Sequence, residues 1–166
     1  MFYDFSSALN TIQPHILCDK LISYDIRPSI VLWVLDYLTS RPQFVQLNAS
    51  INSDVITTYT GAPQGTVLSP FLFSLYTSDC RSSNDDCVFD KYADDTVQIG
   101  LITDDDDSVY VEQKDAFINW CKNNYLVLNV EKTKEMIIDF RKITSDPAYV
   151  KIDNKEVERV RSFKYL

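Results

Sequence analysis

The stretch CVFDKYADDTVQIG, residues 87–100, constrains the fold of this chain more than any other. Two short runs suited to strands flank a turn that carries the doublet Asp94 and Asp95, so the segment reads as an antiparallel hairpin with acid at its tip. Successive side chains in an extended segment point to opposite faces, and a tight turn alters that divergence without abolishing it. One of the two aspartates is therefore the better placed for any single ligand. Asp is a common turn residue, which accounts for one acid but does not require a pair. A divalent cation at the turn is the other explanation.

The rest of the chain surrounds this hairpin with helices and further hairpins. The opening MFYDF is short, apolar and aromatic around Asp4, and reads as a buried strand. PHILCDKLISY, residues 14–24, reads as a helix with proline in its first turn. A second helix starts at Pro28 and runs through SIVLWVLDYL, apolar on most sides and so expected to be largely buried, until TSRP stops it. QFVQLN and DVITTYTG form an expected hairpin around ASINS, and TVLSPFLFSLYT, about residues 66–77, an expected helix with Pro70 in its first turns. The acidic run TDDDD precedes a helix over residues 108–124, where negative charge suits the exposed amides, with Val109, Phe117, Trp120 and Cys121 on the buried side. EMIIDF, AYVKID and EVERVRSFKYL read as strands, with Asp153 and Asn154 as a turn. Helices mixed with antiparallel hairpins give an α+β fold rather than a doubly wound parallel one, and 166 residues suit one domain.

Composition narrows the functional classes. The net charge of −8, from 16 basic and 24 acidic residues, argues against the chain by itself binding a polyanion. Cys18, Cys80, Cys87 and Cys121 form no C-x-x-C pair and His15 is the one histidine, which argues against a zinc site. No apolar run has the length of a membrane span, and MFYDFSS lacks the regions of a signal peptide. An intracellular, reducing location follows, in the cytoplasm or nucleus, and the glycosylation pattern at Asn48 reads as a chance match. DDDDSVYVEQKD, residues 104–115, departs from a calcium loop at Val109 and Asp115, and reads as a solvated acidic loop.

Phosphoryl transfer with two magnesium ions needs only a few converging carboxylates, because substrate phosphates supply further ligands. Asp4, on a buried strand, is costly as an isolated ion, so it is either neutralised by a cation or less buried than its neighbours. In GAPQGTVLSP, residues 61–70, two glycines bracket Pro63 and Gln64 before a helix. Glycine lets backbone approach a ligand closely and a helix start favours an anion, although such a connection also uses Gly and Pro for geometry alone.

Taken in order, DFSSALNTI, GAPQGTVLSPFLFSLY and KYADDT, followed by NYLVLNVEKTKEMIIDFR, resemble the palm of the reverse transcriptases of non-LTR (LINE-type) retrotransposons, over essentially the whole chain. Group II intron maturases also carry a YADD box, but LNVEKTKEMIIDF and the terminal FKYL favour the LINE relatives. The resemblance implies a partial palm domain over residues 1–166, with an antiparallel sheet packed on helices. It implies an RNA-directed DNA polymerase that joins a deoxynucleotide to a DNA primer 3′-hydroxyl on an RNA template. Asp4 and Asp94 match the metal-binding aspartates and Asp95 completes the catalytic acidic set, serving two Mg2+ ions or Mn2+ in their place. Tyr92 falls near the primer end, Gln64 and Gly65 fall along the nascent base pair and incoming nucleotide, and Lys132 falls toward the leaving pyrophosphate. Residues 111–124 match the helix beneath the sheet. Leu9 stands where the family usually has a phenylalanine or tyrosine that screens against the ribose 2′-hydroxyl. Three residues precede Asp4 and the chain ends at FKYL, so the family's basic fingers and its thumb are expected on other segments of a longer polyprotein, which also accounts for the acidity. The alternative reading is a catalytically silent, truncated remnant that serves as a binding or structural domain.

Overall fold

In a computed structural model that describes residues 1–48, 51–141 and 148–164, the elements follow one another as β1 (Phe2–Tyr3), a 3₁₀ turn (Ala8–Asn10), α1 (Pro14–Ser23), α2 (Pro28–Leu38), β2 (Arg41–Gln43), β3 (Gln46–Asn48), β4 (Ile51–Asn52), β5 (Ile56–Thr58), α3 (Leu68–Tyr76), β6 (Cys87–Tyr92), β7 (Asp95–Gly100), α4 (Ser108–Asn123), β8 (Lys134–Glu135), β9 (Lys151–Ile152), β10 (Lys155–Glu156) and β11 (Glu158–Arg159). The fold is α+β, as the mixture of helices and antiparallel hairpins predicts. No described helix is long and apolar enough to cross a membrane. The chain forms two compact units, one of Met1–Ser6 with Ser78–Leu166 and the other of Ser7–Thr77.

The first unit is built on a five-stranded sheet in the order β11-β8-β1-β7-β6. The β6–β7 hairpin is in full register from Cys87 opposite Gly100 to Tyr92 opposite Asp95. The two residues of β1 lie between β7 and β8, antiparallel to both, so the strand at the N-terminus is held on each side. β11 runs parallel to β8. One face of this sheet packs on α4: the Phe117 ring lies 4.4 Å from Tyr3 and 5.0 Å from Phe89, and the Gln98 amide donates to the Tyr110 carbonyl at 2.9 Å. Rings at such separations add to the burial of their own area, which stabilises by about 1.5–3 kcal/mol for each large side chain. The α4 stripe is Tyr110, Phe117, Ile118 and Cys121, with Val109 and Trp120 only half-buried, because Val109 lies a full 100° step away from Tyr110 around the helix.

Three expected strands are shorter than their composition suggests. EMIIDF contributes only Glu135 to β8, and Ile138 and Phe140 are exposed. Strand propensity needs a partner ladder, and the pairings of β8 end at Glu135. AYVKID keeps only Lys151–Ile152, which pairs with β10 through a turn at Asp153 and Asn154, both at left-handed φ of 49° and 65° as a type I′ turn requires. EVERVRSFKYL gives Glu156 to β10 and Glu158–Arg159 as β11, and its residues 165 and 166 lie outside the described residues. The buried Glu135 carboxylate is fully paired: Arg159 Nε and Nη2 donate to it at 3.1 and 3.0 Å, and the Tyr110 hydroxyl at 3.2 Å. Tyr110→Phe is expected to cost about 1.5–3 kcal/mol, the worth of a hydrogen bond to a charged group, measured as a shift in urea midpoint.

The second unit is helical with a β appendage. Pro14 and Pro28 each occupy the first turn of their helices, where a missing N–H costs nothing. Contrary to the expectation of a largely buried helix, α2 buries only Val31, Val34 and Leu38, while Ile30, Leu32 and Trp33 are exposed. An apolar run states how much surface a helix can bury, but not how many neighbours surround it. The short α3 buries Leu72, Phe73 and Tyr76, with Pro70 in its first turn, and Lys20 Nζ donates to the Tyr76 carbonyl at 2.6 Å. The expected hairpin exists as two nested pairs, β2 with β5 and β3 with β4, interrupted by a register irregularity. Residues 49 and 50 of its ASINS turn lie outside the described residues.

Candidate functional site

The residues singled out in the sequence fall into two groups. Asp4, Tyr92, Asp94, Asp95 and Lys132 belong to the first unit, and Leu9, Gln64 and Gly65 to the second.

In the first group the sheet register does the assembling. β1 pairs with β7 as Phe2 opposite Val97 and Tyr3 opposite Thr96, and Asp4, the next residue, lies close enough to Asp95 for its charge to act on that carboxyl. On its other side Asp95 is paired with Tyr92. Directly opposed residues in an antiparallel pair share a face, so Tyr92 and Asp95 lie on the same one. That face is turned away from α4: Tyr3, one residue before Asp4, contacts Phe117 of the helix, and alternation sends Asp4 the other way. Asp94 sits in the two-residue turn beside this pair, preceded by Ala93 at a left-handed φ of 52°. A residue with a Cβ adopts that conformation at a cost of about 1 kcal/mol, and such strain collects at functional turns.

Asp4 is less buried than its apolar neighbours, with its side chain 38% exposed. Its backbone is fixed by the turn before β8: the Asn129 amide donates to the Asp4 carbonyl at 2.8 Å, and the Asp4 amide to Thr133 Oγ1 at 3.3 Å. From the same turn Lys132 Nζ approaches Asp4 Oδ2 at 3.9 Å, a long and exposed ion pair worth well under about 1 kcal/mol. Asn129 and Thr133 are not legible in the sequence as site residues, because their contribution is to backbone geometry.

Partial burial, and after it the negative charges of Asp94 and Asp4, raise the Asp95 carboxyl above its ordinary 3.8. Asp95 thus lies within electrostatic reach of both other aspartates. Among the described residues no three His, Cys, Asp or Glu side chains are gathered tightly enough to cage a metal by themselves. The donor chemistry nonetheless fits a hard dication: magnesium takes one or two carboxylates and completes its shell with water and substrate phosphates, and a cation here would relieve the repulsion on Asp95.

A raised carboxyl binds more protons folded than unfolded, so its ionisation destabilises the fold. The penalty is absent below 3.8 and develops as pH rises through the raised value. Urea unfolding of the metal-free chain is therefore expected to show Asp95→Asn matching wild type at low pH and slightly exceeding it in stability above that window.

In the second group, the 3₁₀ turn and the loop before α3 are stitched together. The Ala62 amide donates to the Leu9 carbonyl and the Gly61 amide to the Ile12 carbonyl, each at 2.7 Å. Gln64 Nε2 donates to Asn10 Oδ1 at 3.2 Å. Leu9 and the Pro63–Gln64–Gly65 segment are thereby neighbours, although more than fifty residues separate them in sequence. Thr66 Oγ1 and Ser69 Oγ both donate to the Pro63 carbonyl, which fixes the exit of the loop into α3. Gly65, at φ 77°, has open space where a side chain would be. Asn10 carries no sequence signal that singles it out.

A family model described as "Reverse transcriptase (RNA-dependent DNA polymerase)" matches residues 1–166. The chain is also similar to the RNA-directed DNA polymerase from mobile element jockey of Drosophila melanogaster, at 27% identity over 151 residues. That match covers 84% of this chain and 16% of the relative, so the chain spans about a sixth of the relative's length.

Proposed function

This chain belongs to the reverse transcriptase (RNA-dependent DNA polymerase) family, and on that premise we propose that it is the cation-bearing palm of an RNA-directed DNA polymerase of the non-LTR retrotransposon type. Family membership implies binding of a nucleic-acid template and primer and the use of divalent metal ions. The finer reading adds an RNA template, a DNA primer, a deoxynucleoside triphosphate and two ions. The observation that carries it is the pairing of β1 with β7, which brings Asp4, the residue after β1, close enough to Asp95 for its charge to act there, with Tyr92 paired to Asp95 and Asp94 in the adjoining turn. The similarity to a mobile-element polymerase supports the retrotransposon assignment.

In this reading Asp4 and Asp94 hold the cations and Asp95 completes the negative set. Magnesium, when bound, lowers the cost of forming the attacking 3′-alkoxide and stabilises charge on the leaving pyrophosphate. Lys132 brings a positive charge to the same side as Asp4, suited to a triphosphate, and the exposed Tyr92 offers a ring beside Asp95 for the primer end. Gln64 and Gly65 contact the incoming nucleotide, with Leu9 near its sugar. Primer extension on an RNA template with magnesium or manganese, comparing the chain with Asp94→Ala, tests the reading. Extension that ignores Asp94 would sink it.

Leu9 is half-buried and lacks the flat ring that could screen a 2′-hydroxyl. Leu9→Phe is expected to increase rejection of ribonucleotides by about 10-fold, in line with the modest worth of a shape change in a pocket. Incorporation of matched ribo- and deoxynucleotides measures this, and unchanged discrimination rejects it.

A further inference from the structure

We propose that Arg41 is a positioning residue for the nucleotide-contacting loop, an inference that rests on the polymerase reading above. Arg41 follows α2 after Thr39 and Ser40, and its backbone pairs with Thr58 at the start of the β2–β5 ladder. Its guanidinium spans three backbone carbonyls: Nε donates to Leu38 at 3.2 Å, and Nη2 to Thr60 and to Gly61, each at 2.8 Å. The fork therefore joins the last residue of α2 to the point where the chain leaves β5 and enters the Gly61–Gly65 loop.

An arginine in a nucleic-acid enzyme ordinarily invites a phosphate-binding role. Here Nε and Nη2 are committed to backbone carbonyls. Nη2 is shared between two carbonyls and Nε is taken by a third, while Nη1 is buried without a hydrogen-bond partner. The charge is spent on the loop, and the loop's opposite edge is what contacts the 3₁₀ turn. Gly61 donates to Ile12, Ala62 to Leu9, and Gln64 to the Asn10 side chain. Arg41 thus grips Thr60 and Gly61 by their carbonyls while the next amides along the chain set the backbone of Leu9 and its neighbours. Loosening Arg41 displaces Gly61, and through it the relation between Leu9 and Gln64, the two side chains assigned to the sugar and the nascent base pair. Lysine cannot replace it, because one ammonium on a flexible stem does not reproduce a planar fork on three carbonyls.

The role assigned is therefore over nucleotide affinity and sugar discrimination, with the cation-binding aspartates and the chemical step untouched. Primer extension on an RNA template, with deoxy- and matching ribonucleoside triphosphates, is measured for wild type, Arg41→Lys and Arg41→Gln. Amide hydrogen exchange at Gly61 and Ala62 is followed in parallel. Both variants are expected to raise KM for the deoxynucleotide about tenfold with kcat within about threefold, and to shift the deoxy-to-ribo ratio, as for lost ground-state positioning. The Gly61 and Ala62 amides are expected to exchange about tenfold faster or more while α1 keeps its protection. Arg41→Lys recovers only part of either effect, and carries the test if Arg41→Gln fails to fold. A fall in kcat at unchanged KM, or unchanged exchange at both amides, overturns the positioning role. A chain that extends no primer by itself is the result expected of a palm without fingers and thumb, and the exchange readout then decides whether Arg41 holds the loop.

Discussion

Asp94→Ala is expected to lower magnesium-dependent extension of a primer on an RNA template by about 10³-fold or more, a barrier increase of roughly 4 kcal/mol. The magnitude follows from the proposed role of Asp94 as a cation ligand: its removal would weaken the hold on a divalent ion that would supply charge stabilisation mainly in the transition state. The location of Asp94 makes the test clean. It lies exposed in the turn between β6 and β7, outside the paired register that runs from Cys87–Gly100 to Tyr92–Asp95, so its loss leaves the hairpin ladder intact. Stability is expected to change by no more than about 0.5 kcal/mol, the range of ordinary surface substitutions. Asp95→Asn serves as the graded comparison, with an expected loss of about 10- to 100-fold, the scale of a group that supports a metal ligand. A larger loss for Asp95 than for Asp94 would reverse the assignment of the direct ligand.

Much of this arrangement is legible in the amino-acid sequence, for reasons that differ by element. The β6–β7 hairpin is readable because its strands and turn are contiguous, so local pattern and tertiary pairing coincide. α1 and α2 are readable from proline at their first turns. The exposed face of α2 and the shortness of β8 are not, since both depend on how many neighbours a segment finds rather than on its own residues. The same limit governs the site. An acidic doublet advertises itself, but the approach of Asp4 to Asp95 exists only through pairing of β1 with β7, more than ninety residues apart in sequence. Arg41 reads in sequence only as part of the TSRP segment that ends a helix, because its partners are backbone carbonyls, to which any residue type contributes alike. Nor does any linker composition mark the points where the chain passes between its two compact units.

The two glycines that bracket Pro63 and Gln64 look equivalent in sequence, and substitution is expected to separate them. A Cβ on Gly61 would stand 2.7 Å from the Asn10 Cα and 2.8 Å from its carbonyl oxygen, backbone atoms that cannot swing aside. Gly61 also has φ of 73°, so alanine there adds a left-handed penalty of about 1 kcal/mol to an overpacking cost of about 1–3 kcal/mol. Gly61→Ala is expected to destabilise by about 3 kcal/mol, seen as a fall of roughly 6–12 °C in Tm for a chain of this size. At Gly65 nothing lies within 4 Å of the added atom, and only the conformational penalty at φ 77° remains. Gly65→Ala is therefore expected to cost about 1 kcal/mol, a fall of roughly 2–4 °C. Open space at a glycine beside Gln64 is what close approach of a ligand to backbone requires. The milder variant should then be the more selective one, raising KM for nucleotide about tenfold at little cost in stability. Equal thermal losses at the two positions would mean that the contact between Gly61 and Asn10 does not hold the loop. An unchanged KM in Gly65→Ala would mean that the nucleotide does not pass over Gly65.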